Sequence, residues 1–245
     1  MSEQLEFLIP DWPAPPSVRA AMTTRRGGFS TGPYATFNLA SHVGDDERAV
    51  AANRQRLRDA LSLPSDPRWL DQVHGRRVAV LSRPLPRSAD AAVAFEPGPV
   101  AVVLTADCLP VFLASRAGDR VGIAHAGWRG LAAGVIEATV AALETDPAEL
   151  IAWLGPAIGP TAFEVGGEVR AMFIATAPES EAEFRPGTGR KYLADLPGLA
   201  RRRLAACGVS AIHGGDHCTV TDPERLYSYR RDGQTGRMAG LIWMV

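Results

Sequence analysis

Three short runs in the middle of the chain, Val100 to Leu104, Val111 to Ala114 and Val121 to Ala124, are apolar and rich in β-branched residues. They read as buried strands. Strands of that kind need packed layers around them, so the expected class is α/β in the mixed α+β sense, with mixed sheets packed together and helices covering their outer faces. Further strands are expected at Val18 to Met22, leading to the Gly27-Gly28 turn, at Val78 to Val80 and at Ile151 to Leu154. Helical spacing appears in three places. Val50, Leu57 and Leu61 follow the acids Asp45, Asp46 and Glu47, which suit a helix N-terminus. Leu131, Val135, Ala138 and Ala142 form a stripe within a single helix expected over Trp128 to Glu144. Leu196, Leu199, Arg203 and Leu204 mark a helix from Asp195 to Cys207, stopped by Gly208. Leu226 to Arg230 and Met238 to Val245 flank Asp232-Gly233 and Gly236, which reads as a hairpin. No repeat or long linker divides residues 1–245, so one domain is expected, with its strand order left open.

Composition bounds the partners. The 245 residues are 46% apolar and 22% charged, the profile of a globular protein with a sizeable core. A net charge of -1 gives no general attraction to nucleic acid or anionic lipid, so neither is an expected partner and any anionic ligand must be held by local charges. Met1 to Pro10 lacks a basic start followed by an apolar run, and no stretch approaches the eighteen or so apolar residues that span a bilayer. A cytoplasmic protein, monomer or homodimer, is the expectation. Cys108, Cys207 and Cys218 are too few and odd in number for a disulfide framework, leaving free thiols or a metal ligand.

Three stretches carry chemistry: Asp71-Gln72-Val73-His74-Gly75, Ala106-Asp107-Cys108-Leu109-Pro110 and Ala124-His125-Ala126-Gly127-Trp128-Arg129-Gly130. Two imidazoles and a thiolate suit zinc with its fourth position open. Cys108 follows one expected strand, His125 closes another, and Gly127 and Gly130 free the backbone beside it. The gaps of 34 and 17 residues match no local zinc signature. Spacing alone therefore leaves two readings open: a metal site, or a buried inert thiol and two ordinary strand-end histidines.

The same blocks resemble the YfiH purine nucleoside phosphorylase family, also described as the laccase-domain or multicopper polyphenol oxidase family. His74-Gly75, Asp107-Cys108-Leu109-Pro110 and His125 to Gly130 are similar to its signature blocks, as are Arg25 to Ser30, Asn38-Leu39, Val43 to Asp46, Ser88 to Ala91, Gly155 to Pro160, Phe163 to Gly166, Cys218-Thr219 and Tyr229 to Gly233. The likeness runs from about Thr23 to Trp243. It implies a YfiH-like fold related to a toxin deamidase, with His74, Cys108 and His125 as zinc ligands and Cys108 and His125 as catalytic residues. Where many relatives carry a Cys after the Gly-Pro-x-Ile-Gly-Pro block, this chain has Thr161-Ala162, so that thiol is not an extra ligand here.

The implied activity is phosphorolysis of adenosine, inosine, guanosine and methylthioadenosine to base and ribose 1-phosphate, together with deamination of adenosine, for which a metal-activated water suits attack on purine C6. Purine nucleosides and phosphate are then the partners. Substrate contacts are expected from Arg25, beside the Gly27-Gly28 turn whose amides suit an anion, from Asn38 and from Arg230. Each has a plain alternative, a solvated arginine face or an ordinary turn, and Arg129 equally caps or packs at a helix start. His213 and His217 read as structural or exposed. A four-copper laccase site needs about ten histidines; the chain has five, so copper is expected only as an adventitious substitute for zinc. Competing readings are a copper-dependent phenol oxidase, a Cys-His amidase or hydrolase acting on a peptidoglycan precursor, with Cys108 as nucleophile and His125 as base, and a metal-carrying interaction domain.

Overall fold

The computed structural model describes residues 4–84 and 86–245, so the first three residues of the Met1 to Pro10 stretch lie outside it. In chain order the strands are β1 Phe7–Leu8, β2 Val18–Thr23, β3 Val78–Val80, β4 Ala91–Ala94, β5 Ala101–Thr105, β6 Leu109–Ser115, β7 Val121–Ala126, β8 Leu150–Leu154, β9 Glu164–Val165, β10 Phe184–Pro186, β11 Tyr192–Ala194, β12 Ala211–Gly214 and β13 Met238–Met244. The helices are α1 Glu47–Leu61, α2 Trp128–Ala133, α3 Val135–Ala142, α4 Gly167–Thr176, α5 Leu196–Ala206 and α6 Tyr229–Asp232.

Two large sheets stack. One runs β1-β2-β13-β5 and is antiparallel; the other runs β12-β8-β6-β7-β4-β3, with β12 parallel to β8 and β3 parallel to β4. Alternation along the strands assigns the layers. In β13, Met238, Ile242 and Met244 enter the core between the sheets, whereas Ala239, Leu241 and Trp243 face α1. In β6, Phe112 and Ala114 join that inter-sheet core, while Leu109, Val111 and Leu113 meet the helical layer of α3 and α5. The mixed α+β layering expected from the buried strands is thus present. A small sheet, β10-β11-β9, lies beside these layers, and no helix among the described residues is long and apolar enough to cross a membrane.

Two expected elements differ. The Trp128 to Glu144 helix is broken at Gly134, which takes φ +92 and ends α2 by donating its N–H to Gly130 and Leu131 carbonyls. The swivel moves the buried stripe to Leu131, Val135, Ile136 and Val140 and leaves Ala138 and Ala142 at its margin. The C-terminal hairpin does not form. β13 pairs instead with the distant β2 and β5, and Ser228 caps the short α6 by accepting from the Arg231 N–H at 3.2 Å. Elsewhere the starts follow the side chains: Asp46 accepts from Arg48 N–H at α1, and Asp195 accepts from Gly198 N–H at α5.

Candidate metal centre and substrate cavity

His125 lies near the end of β7, opposite Pro110 at the start of β6, and Cys108 lies in the tight link that joins β5 to β6. That link turns because Asp107 adopts φ +91. Its carboxylate accepts from Arg230 N–H at 2.6 Å and from the Thr219 hydroxyl, and its carbonyl accepts from Ile158 N–H at 2.9 Å. Contacts from three remote segments therefore hold the unusual backbone beside Cys108.

His74 comes from a loop. Gln72 docks on the strand edge of β5, its amide donating to Leu104 carbonyl at 2.9 Å and accepting from Leu104 N–H at 2.7 Å. The wholly buried Asp90 then grips the loop, with one oxygen accepting from His74 N–H at 2.8 Å and the other from Gly75 and Val73 N–H at 2.7 and 3.2 Å. His74 itself sits at φ +59 within this three-amide cradle. The same carboxylate accepts from His125 Nδ1 at 2.9 Å, which leaves Nε2 as the free ligand atom of that ring. One acid thus positions both imidazoles.

The ligand atoms of His74, Cys108 and His125 lie within 4.8 Å of one another, and Cys108 Sγ is 3.8 Å from His74 Nε2. Two nitrogens and one sulfur around tetrahedral zinc stand roughly 3.4–3.6 Å apart, so the set fits such an ion with small side-chain rotations. A carboxylate behind a ligating imidazole is the usual support for such a site. Burial would push the Cys108 thiol up, but the charge of His125 and hydrogen bonds from both imidazoles bring it down to about 6. Burial would lower His125; the Cys108 thiolate and then Asp90 raise it to about 9. The two shifts share one cause, the attraction between thiolate and imidazolium, and a cation bound between Cys108 and His125 would take the place of that proton.

Glycines here serve space, not backbone freedom. Gly127 has an ordinary φ of −62, but a Cβ on it would stand 2.8 Å from Cys108 Sγ and 3.0 Å from His74 Cδ2. A Cβ on Gly130 would meet Gly75 carbonyl oxygen at 2.9 Å, so α2 rests directly on the His74 loop. Gly127 is therefore needed for the close approach of Cys108 and His74, and not for the backbone freedom expected from the sequence.

The trio opens on a cavity of about 570 Å³, also walled by His42, Leu104, Trp128, Arg129, Ile158, Phe163, Tyr229, Arg230 and Arg237. That size, with aromatic and aliphatic faces beside three arginines, suits a small polar ligand. Of the substrate contacts expected from sequence, Arg230 is on the wall, with Nη1 donating to Glu164 carbonyl at 3.1 Å. Arg25 and Asn38 are not. Arg25 donates to the carbonyls of Ala35 and Pro223, each at 2.9 Å, and stacks on Tyr227. The Gly28 and Phe29 amides are already bonded to Thr36 Oγ1 and Asn53 Oδ1, so the glycine turn offers no anion cradle. Asn38 is fully buried and bonds Asp45, Ala40 and the Arg237 N–H, reaching the cavity only by way of Arg237. The sequence assigns no role to Asp90, Gln72, His42 or Arg237, although Gln72 lies in the Asp71 to Gly75 stretch and Asp90 in the Ser88 to Ala91 block.

A family model for multi-copper polyphenol oxidoreductase laccase matches residues 19–245. A purine nucleoside phosphorylase of Pseudomonas aeruginosa is 52% identical over 239 residues, covering 97% of this chain and 98% of that protein. The purine nucleoside phosphorylase YfiH of Escherichia coli is 52% identical over 242 residues, covering 98% and 99%. Among solved structures, a Neisseria meningitidis protein superposes with TM-score 0.93 at 47% identity, covering 97% of this chain and 98% of that one. YlmD from Geobacillus stearothermophilus superposes at 0.88 with 31% identity, covering 99% and 98%.

Proposed function

The chain belongs to the laccase-domain family of YfiH-type proteins, and we propose that it is a zinc-dependent purine nucleoside phosphorylase. The observation that carries this reading is the convergence of His74, Cys108 and His125 on a cavity whose other walls are aromatic, aliphatic and cationic. Such walls match the three parts of the reactants: a flat purine, a ribose and a phosphate. In this reading the zinc, when held by the three residues, supplies a Lewis acid that polarises a reacting oxygen or nitrogen. Asp90 keeps the His125 ring in the tautomer that presents Nε2, and its amide cradle fixes His74. Phe163, Ile158 and Tyr229 offer faces for the base, and Arg230 and Arg129 supply positive charge near the oxyanions. Adenosine and methylthioadenosine share the purine nucleoside chemistry, and deamination of adenosine at the same centre belongs to the same reading.

Two other readings give way on specific grounds. A four-copper oxidase site needs about ten histidines against five in the chain, and only His74 and His125 gather with Cys108 among the described residues. A Cys-His amidase is favoured by the lowered Cys108 thiol, yet a thiolate bound to zinc is a poor carbon nucleophile. Chromatography of adenosine and inosine reactions separates the possibilities. Base and ribose 1-phosphate formed only when phosphate is present support phosphorolysis, and phosphate-independent inosine from adenosine reports deamination. Turnover of neither nucleoside by zinc-loaded protein sinks the proposal, as does full activity in Cys108→Ala.

A further inference from the structure

Arg237 stands apart from the other arginines of the cavity. It directly precedes β13, is half-buried, and makes no ion pair with a carboxylate among the described residues. Its backbone N–H is tied to Asn38 Oδ1 at 2.9 Å, and Nη1 donates to Thr235 and Gly236 carbonyls at 2.9 and 3.0 Å. The guanidinium carbon lies 5.8 Å from the Tyr229 ring centroid. These bonds fix the guanidinium plane while leaving Nε and Nη2 without a hydrogen-bond partner among the described residues. Burial lowers the Arg237 pKa, and the nearby charges of Cys108 and Asp107 offset this only in part, with neither group hydrogen-bonded to the guanidinium. The carboxylate on the cavity wall, Asp107, is committed to Thr219 and the Arg230 N–H. Arg129 and Arg230 face the same space, so three guanidinium groups share a cavity whose one carboxylate, among the described residues, is already hydrogen-bonded elsewhere.

We propose that Arg237, braced by Asn38, is the main phosphate-binding residue of this cavity, presenting its free Nε and Nη2 edge to two oxygens of inorganic phosphate with Arg129 nearby. The assignment rests on the phosphorolysis reading for the identity of the oxyanion, and on the guanidinium geometry for its place. A guanidinium fork matches two phosphate oxygens in a plane, which a lysine at this position does not reproduce.

The test uses zinc-loaded wild type, Arg237→Gln and Arg237→Lys. Phosphate binding is read by calorimetry without nucleoside, and KM for phosphate and for inosine are read separately. Loss of two charge-assisted hydrogen bonds predicts phosphate Kd and KM raised about tenfold or more in Arg237→Gln, a smaller rise in Arg237→Lys, and KM for inosine changed far less. Zinc content and phosphate-free melting temperature of the variants report a purely structural role. Should Arg237→Gln not fold, Arg237→Lys and Arg129→Gln carry the comparison. Unchanged phosphate binding in folded variants overturns the proposal while leaving phosphorolysis intact. Phosphate binding lost in Arg237→Gln, in a protein that cleaves no nucleoside, keeps the anion site and discards the phosphorolysis reading. Wild type that binds adenosine 5′-monophosphate through Arg237 but not free phosphate overturns it as well.

Discussion

Asp90 is the residue on which the geometry of the centre most depends, because a single buried carboxylate accepts from His125 Nδ1 and from three successive amides around His74. An Asn in its place keeps the shape but turns an N–H toward those donors. Asp90→Asn is expected to weaken zinc binding about 10–100-fold and to cost about 3 kcal/mol of stability, read by competition with a chelator and by urea unfolding. Burial would raise the Asp90 carboxyl, but the His125 bond and then the Gly75 and Val73 amides leave it below its ordinary value. Its contribution is therefore complete above the usual carboxylate range near 4 and is lost as pH falls through the lower folded value. Stability of metal-free wild type should fall across that acid window more steeply than that of Asp90→Asn; parallel curves would contradict the assignment. At this scale the ligands themselves were legible as residue types, since His and Cys are the ordinary donors for zinc. Asp90 and Arg237 were not, because an acid or an arginine acquires its role from what the fold places against it.

The elements that position the ligands are short turns kept close by small residues. Gly127 separates β7 from α2 where Cys108 and His74 leave no room for a methyl group. Its φ of −62 accommodates alanine, so Gly127→Ala should fold with little change in melting temperature. The displaced Cys108 Sγ should then lower zinc affinity by about tenfold or more; full zinc affinity in this variant would show that the centre tolerates a wider spacing. The apolar runs at β5, β6 and β7 were readable because a buried strand needs nothing more than apolar residues of the right length. The continuous helix after Trp128 was not, because a stripe of apolar residues persists across a glycine that swivels the axis. Turn residues near Gly233 suggest a hairpin but say nothing of partners far away in sequence, and β13 finds its partners in β2 and β5.

Across the whole molecule, the stacking of the two sheets brings the β5–β6 link, the end of β7 and the His74 loop to one place. Gly240 of β13 shows how close that stacking is: a Cβ there would stand 2.8 Å from Phe112 Cζ and 3.1 Å from Ile123 Cδ1. Gly240→Ala should destabilise the fold by about 1–3 kcal/mol through overpacking, measured as a lower urea midpoint; an unchanged midpoint would mean that the layers shift freely. Sequence gaps of 34 and 17 residues held no sign of this convergence, which arises from strand order. The family resemblance supplied it instead, and the strand pairing gives its physical cause. If three distant segments build one metal centre, X-ray absorption at the zinc edge of the purified, zinc-loaded protein will show one sulfur at about 2.3 Å and nitrogens at about 2.0–2.1 Å around a single zinc per chain. A zinc shell without sulfur would contradict it.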